Sequence, residues 1–230
     1  MECDALCRSR AACFWRRTGI YQKASNDLTG NGELLYISGN QPARPSSWSR
    51  DGRFLLFYAG APYDIWALPL NAGAARGTAR TPLALVKGPF NERGARFSPD
   101  GRFYAYLSNL SGVDEIYVQT FDPSASRNLP AEAVKISKDG GQAARWSADG
   151  KEIFYRSPNG DLMYVEVSTT PVFRAGAPRL LFKAPPSSAS QLIFWDVAPD
   201  GKRFLFALPA RQNSSELLTV VQNWQALLKH

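Results

Sequence analysis

The sequence predicts an all-β chain assembled from a repeated unit of short strands, and three observations carry that prediction. Four near-copies of one motif recur: Trp48-Ser-Arg-Asp-Gly52, Phe97-Ser-Pro-Asp-Gly101, Trp146-Ser-Ala-Asp-Gly150 and Val197-Ala-Pro-Asp-Gly201. Their glycines are spaced by 49, 49 and 51 residues, and each is followed by a basic residue, Arg53, Arg102, Lys151 or Lys202. Beyond every motif lies an apolar, aromatic-rich run, and a few residues later a second β-prone run.

The motif has the chemistry of a tight reversal. Asp at the third position and Gly at the fourth suit a type I turn, with Gly taking the positive φ of a following bulge. The four recurring aspartates, Asp51, Asp100, Asp149 and Asp200, are therefore expected as turn formers, each bonded to the turn backbone, rather than as catalytic acids. After the corners, strands are expected at 54–58, 103–107, 153–155 and 204–207, then at 64–68, 115–119, 162–167 and 217–221. One more candidate lies between repeats, at 33–37, 82–86, 133–137 and 179–182. Adding the run that enters each corner, every unit offers four strands in about fifty residues, the period of a β-propeller blade.

In chain order, residues 1–18 read as an irregular leader outside the repeat, and 19–230 as one propeller domain. Gly19-Ile-Tyr-Gln-Lys23 resembles the third-strand run of the other repeats (compare Glu115-Ile-Tyr-Val-Gln119) but has no Asp-Gly corner ahead of it, so it reads as the remnant of an upstream blade. The blades are expected at about 30–70, 79–121, 132–168 and 177–222, with a loop at 122–130 and a short helical turn at 223–229.

Alternation along the entering strands assigns side chains to faces. Phe97 and Trp146 should pack toward a neighbouring blade, which leaves Arg96 and Arg145 on the opposite face, where the other repeats carry Ser47 and Asp196. Two readings are open for those arginines: an ion-paired or solvated strand face, or the basic lining of a channel mouth. Arg44 and Arg93, near the same strand positions, join Arg96 and Arg145 as the candidate ligand-binding set.

Composition excludes much else. With 44% hydrophobic and 12% aromatic residues the chain can bury a core, so disorder is not the default. The net charge of +7 is dispersed, with no basic block in the repeats, which argues against specific nucleic-acid binding. No apolar run is long enough to span a membrane, and no secretory signal pattern stands at 1–19, which leaves the compartment open. All cysteines, Cys3, Cys7 and Cys13, lie in the leader, and the one histidine is His230. A Ser-His-Asp or Cys-His site, a His-based metal site and a phosphate-binding loop are all without their residues, so neither metal nor cofactor is expected.

The pattern aromatic-Ser-x-Asp-Gly-Arg/Lys, apolar run, then Ile/Leu-Tyr-Val resembles the TolB-type, WD40-like propeller repeat of bacterial proteins, most closely in Phe97-Ser-Pro-Asp-Gly-Arg102 with Glu115-Ile-Tyr-Val118. From Gly19 to Leu228 the chain is also similar to the C-terminal propeller of bacterial serine/threonine kinases and winged-helix regulators. Rings of that type hold more blades than this chain supplies, so the resemblance implies a partial ring whose open blade edges invite self-association. It further implies a non-enzymatic module that binds a protein or peptide partner, as the sensing portion of a kinase or regulator. The alternative is a propeller enzyme or carbohydrate-binding protein, of lyase or hydrolase-associated type.

Overall fold

The computed structural model describes residues 11–16, 19–24, 32–70, 80–124, 132–185, 194–207 and 219–221, with backbone pairing alone for 11–16 and 219–221. The helical turn expected at 223–229 lies outside the described residues. Within them every regular element is a strand, and the strands form five antiparallel sheets.

The first sheet is β1 (Ala11–Arg16), β2 (Gly19–Ala24) and β3 (Glu33–Ile37). The second runs β4 (Ala43–Trp48), β5 (Phe54–Gly60), β6 (Tyr63–Pro69), β7 (Leu83–Val86). The third repeats that order with β8 (Glu92–Phe97), β9 (Phe103–Ser108), β10 (Glu115–Thr120) and β11 (Val134–Lys135). The fourth holds β12 (Gln142–Trp146), β13 (Glu152–Arg156) and β14 (Leu162–Ser168), with β15 (Arg174–Ala175) and β16 (Arg179–Phe182) both on β14. The last is β17 (Trp195–Val197), β18 (Phe204–Phe206) and β19 (Thr219–Val221).

Two features differ from the sequence reading. The sheets are one strand out of phase with the repeat units: β3, which opens the unit at about 30–70, is hydrogen-bonded to β2 of the preceding sheet, and β7 likewise closes the sheet before the next corner. In addition, the stretch read as an irregular leader contributes β1, whose Cys13-Phe-Trp15 core is β-prone and pairs antiparallel with β2 from Ala11↔Ala24 to Arg16↔Gly19.

The four corners are built as their sequence requires. At the first, the Gly52 amide donates to Ser49 O at 2.9 Å, closing the turn, and Gly52 has φ of 71°. The glycines of the other corners have φ of 73°, 73° and 68°. Asp51 Oδ1 accepts the Arg53 amide at 3.0 Å, and Asp100, Asp149 and Asp200 do the same with Arg102, Lys151 and Lys202. The motif's serine adds a second clamp. The Ser49 hydroxyl donates to Asp51 Oδ1 at 2.7 Å and accepts the Phe54 amide at 2.9 Å, so one side chain ties the two arms of the hairpin together. Ser98 and Ser147 repeat the arrangement. Ala198 holds that place in the fourth corner, which therefore lacks the clamp.

The strand after each of the first three corners is apolar at successive positions because both of its faces are buried, whereas on β18 Leu205 is exposed between the buried Phe204 and Phe206. On β9, Phe103, Ala105 and Leu107 pack against the fourth sheet with Trp146, Ile153 and Tyr155, while Tyr104 and Tyr106 pack backward with Phe54, Leu56 and Phe97. Leu55 and Phe57 of β5 meet Ile20 and Leu35 of the first sheet, and Phe154 of β13 meets Phe204 and Phe206 of the last. Sheets stacked face to face around the channel formed by their first strands make a β-propeller, here a partial one. Trp146 faces the blade before it, as alternation requires, and its indole donates to Arg96 O at 3.2 Å across the blade boundary. Phe97 does likewise, its amide donating to Ser47 Oγ at 3.1 Å.

The outer strands are less regular. Where the sequence predicts a strand over 133–137, β11 pairs through only two residues. The reason is local: the Ile136 amide still donates to Ile116 O at 2.9 Å, but the Ile116 amide donates to the Ser137 hydroxyl at 2.7 Å, so a side chain takes the place of the next backbone bond.

Candidate functional site

Among the described residues the first strand of each of the last four sheets, β4, β8, β12 and β17, is paired on one side only, so its other edge borders the channel. Three of these strands carry an irregularity at the same repeat position: the register shifts between Pro45 and Ser47, between Arg93 and Arg96, and between Gln142 and Arg145. A bulge inserts one residue, bends the strand and re-aims its side chains. The extra residue takes positive φ in two of them, Gly94 at 66° and Ala143 at 54°.

These bulges bring the four arginines singled out in the sequence to one place. Arg44, Arg93, Arg96 and Arg145 all line a single cavity of about 280 Å³, together with Tyr58, Tyr63 and Tyr106, and among the described residues no acidic side chain lines it. Acidic residues outside the lining hold Arg93 and Arg145. Arg93 Nη2 lies 2.6 Å from Asp114 Oδ2. Arg145 Nε is 3.5 Å from Asp196 Oδ1, and its guanidinium stands 5.5 Å over the Trp195 ring. Arg145 is thus ion-paired and also part of the cavity lining.

The tyrosines were not singled out from the sequence. Tyr58 and Tyr63 meet edge to face with centroids 5.3 Å apart, at the far end of the β5–β6 hairpin. Burial, followed by the charge of Glu92, pushes the Tyr106 hydroxyl well above its ordinary range, so it lines the cavity as a neutral phenol. The only sequence signal for this wall was the aromatic richness of the strands after each corner, which serves the core equally well.

A second cavity, of about 690 Å³, opens at the corner end of the same channel between Trp48, Phe97 and Trp146. Arg96 and Arg145 line this cavity as well as the first, so the two meet at those side chains. Among the described residues no three His, Cys, Asp or Glu side chains stand together as metal ligands, and no helix is long and apolar enough to cross a membrane.

Comparison with known proteins agrees with the architecture. No family model matches the chain. Over 133 residues, 56% of its length, it is 26% identical to the Tol-Pal system protein TolB of Anaeromyxobacter dehalogenans, and the match covers 29% of that protein. The chain thus spans less than a third of the curated relatives it matches. Among solved structures it is similar to TolB from Acinetobacter baumannii, with a TM-score of 0.64 at 20% identity over 93% of this chain and 48% of that one. It is also similar to an oligogalacturonate lyase from Vibrio parahaemolyticus, with a TM-score of 0.60 at 11% identity over 93% of this chain and 60% of the lyase. At these identities the structural likeness speaks for the fold, which is that of TolB-type β-propellers.

Proposed function

We propose that the chain is a non-enzymatic interaction module of TolB-like propeller type that receives a protein or peptide partner at the arginine-lined end of its channel. The observation that carries this reading is the convergence of Arg44, Arg93, Arg96 and Arg145, from three different blades, on one cavity beside unpaired strand edges. Propellers present variable side chains on a rigid scaffold, and arginines flanked by tyrosines are the residue types that dominate protein-recognition surfaces. The finer reading, that the module is the sensing portion of a kinase or regulator, rests on the resemblance of the repeats alone. Co-purification of the chain with a kinase from its own genomic neighbourhood would support it, and an independently expressed chain with no such association would count against it.

The test of the main reading is selection of displayed random peptides on the immobilised chain. Enriched peptides should bind the purified protein and lose affinity for the Arg96→Ala/Arg145→Ala double variant, provided that variant keeps the parent's circular dichroism. Enriched peptides that bind parent and variant alike would place recognition elsewhere. A second reading, a carbohydrate-acting propeller, draws on the likeness to the lyase, because arginine and tyrosine side chains also suit acidic sugars. Unsaturated products released from polygalacturonate by the parent and not by the double variant would favour it.

A further inference from the structure

We infer that the cavity at Arg44, Arg93, Arg96 and Arg145 is a carboxylate site, and that the group it holds belongs to an acidic peptide segment. This rests on the reading of the chain as a peptide-receiving module and adds the chemistry of what is received. Among the described residues the lining supplies four guanidinium groups and no acidic side chain. A guanidinium presents a planar fork of donors that matches a carboxylate in a two-bond geometry, which a lysine cannot do. Asp114 at 2.6 Å from Arg93 and Asp196 at 3.5 Å from Arg145 restrain those two forks, so less side-chain freedom is lost when a ligand arrives.

The form of the space favours an extended chain. The arginine cavity, about 280 Å³, is smaller than a typical drug-sized pocket but continues past Arg96 and Arg145 into a second of about 690 Å³. A linear segment can place a carboxylate among the arginines, an apolar or aromatic side chain against Tyr58 and Tyr63, and its next residues toward Trp48 and Trp146. The channel-side edges of β4, β8 and β12 lie beside that path, a setting in which extended peptides bond to main chain.

The probes are a fluorescein-labelled hexapeptide of alternating glutamate and tyrosine, its glutamine counterpart, its C-terminally amidated counterpart, and unlabelled trigalacturonate and inorganic phosphate as competitors. Anisotropy should show the glutamate peptide binding at least about 10-fold more tightly than the glutamine peptide, the usual weight of a charged hydrogen bond. Arg93→Lys and Arg145→Lys, which keep the charge and spare the fold, should each weaken it about 10-fold, while Arg179→Ala on an exposed outer strand should leave it unchanged. An amidated peptide should bind as well as the free acid, because the carboxylate recognised is that of a side chain, and an amidated peptide that fails to bind would overturn the assignment to an acidic segment. Equal binding of the glutamate and glutamine peptides, or equal losses in the Lys variants and Arg179→Ala, would overturn it while leaving the module reading standing. Trigalacturonate displacing the peptide at lower concentration than the peptide itself, or phosphate doing so, would overturn the assignment to a peptide. Absence of binding by any peptide, selected or designed, would remove the module reading itself.

Discussion

Replacing Ser98 by alanine isolates the clamp that the corner motif supplies. Ser98 is 2% exposed, and its hydroxyl lies 2.6 Å from Asp100 Oδ1 while accepting the Phe103 amide at 3.0 Å. The Asp100 side chain is 35% exposed, so water can replace the lost donor there, at a net cost of about 1 kcal/mol. The Phe103 amide is not so placed. Phe103 is 7% exposed, and leaving its N–H without an acceptor costs about 2 kcal/mol. Together these give a loss of about 3 kcal/mol, or about 6 to 12 °C in Tm for a chain of this size. Urea unfolding followed by tryptophan fluorescence measures it directly, with an unchanged slope expected because the exposed surface is the same. The chain contains its own control: the fourth corner has Ala198 in the serine position, so Ala198→Ser should stabilise by about 1 kcal/mol as the new hydroxyl reaches Asp200. Ser98→Ala within about 0.5 kcal/mol of the parent, combined with Ala198→Ser that destabilises, would refute the reasoning.

Three further outcomes are expected. Ala143→Gly should stabilise by about 1 kcal/mol and Gly94→Ala should cost a similar amount, because both bulge positions sit at positive φ; calorimetric Tm values check the pair. The Ser49 hydroxyl, then the Arg53 amide, holds the Asp51 carboxyl down at about 2, so the stability it contributes is full above the unfolded value near pH 4 and is lost as pH falls toward 2. Discounted for solvent, that is on the order of 1 kcal/mol, and Asp51→Asn should flatten the corresponding part of a Tm–pH curve. Glu92 behaves in the opposite sense: burial, outweighing the Ser108 hydroxyl bond, pushes its carboxyl up, so its contribution is present below the ordinary glutamate value and is lost as pH rises through the raised one. Glu92→Gln should accordingly raise Tm at pH 7 and change it little at pH 3.5.

What the sequence disclosed follows from the range of the interactions involved. The corners were legible because Asp51, Gly52 and their counterparts act within two or three residues, through an Asx bond and a positive φ. The facing of Phe97 and Trp146 was legible because a strand alternates with period two. The phase of the blades was not: β3 has the same apolar character whichever blade takes it, and only its hydrogen bonds to β2 decide. The serine clamp stood in the motif as a recurring letter, but its reason, a bond to an amide five residues on, exists only in the folded hairpin. At the site, repeat position was enough to group the arginines, whereas the partners that hold them are remote in sequence, Asp114 on Arg93 and Asp196 on Arg145. The bulges were hidden because Pro45, Gly94 and Ala143 share no residue type.

The most direct test of the channel-mouth reading is amide hydrogen exchange with and without the glutamate–tyrosine hexapeptide at saturation. Added protection should fall on 43–47, 93–97 and 142–146, the first strands of three successive blades, and should be absent in the Arg93→Lys/Arg145→Lys variant. Protection confined to the outer strands at 83–86, 134–135 and 179–182 would contradict it, because those residues lie at the far side of each sheet from the channel.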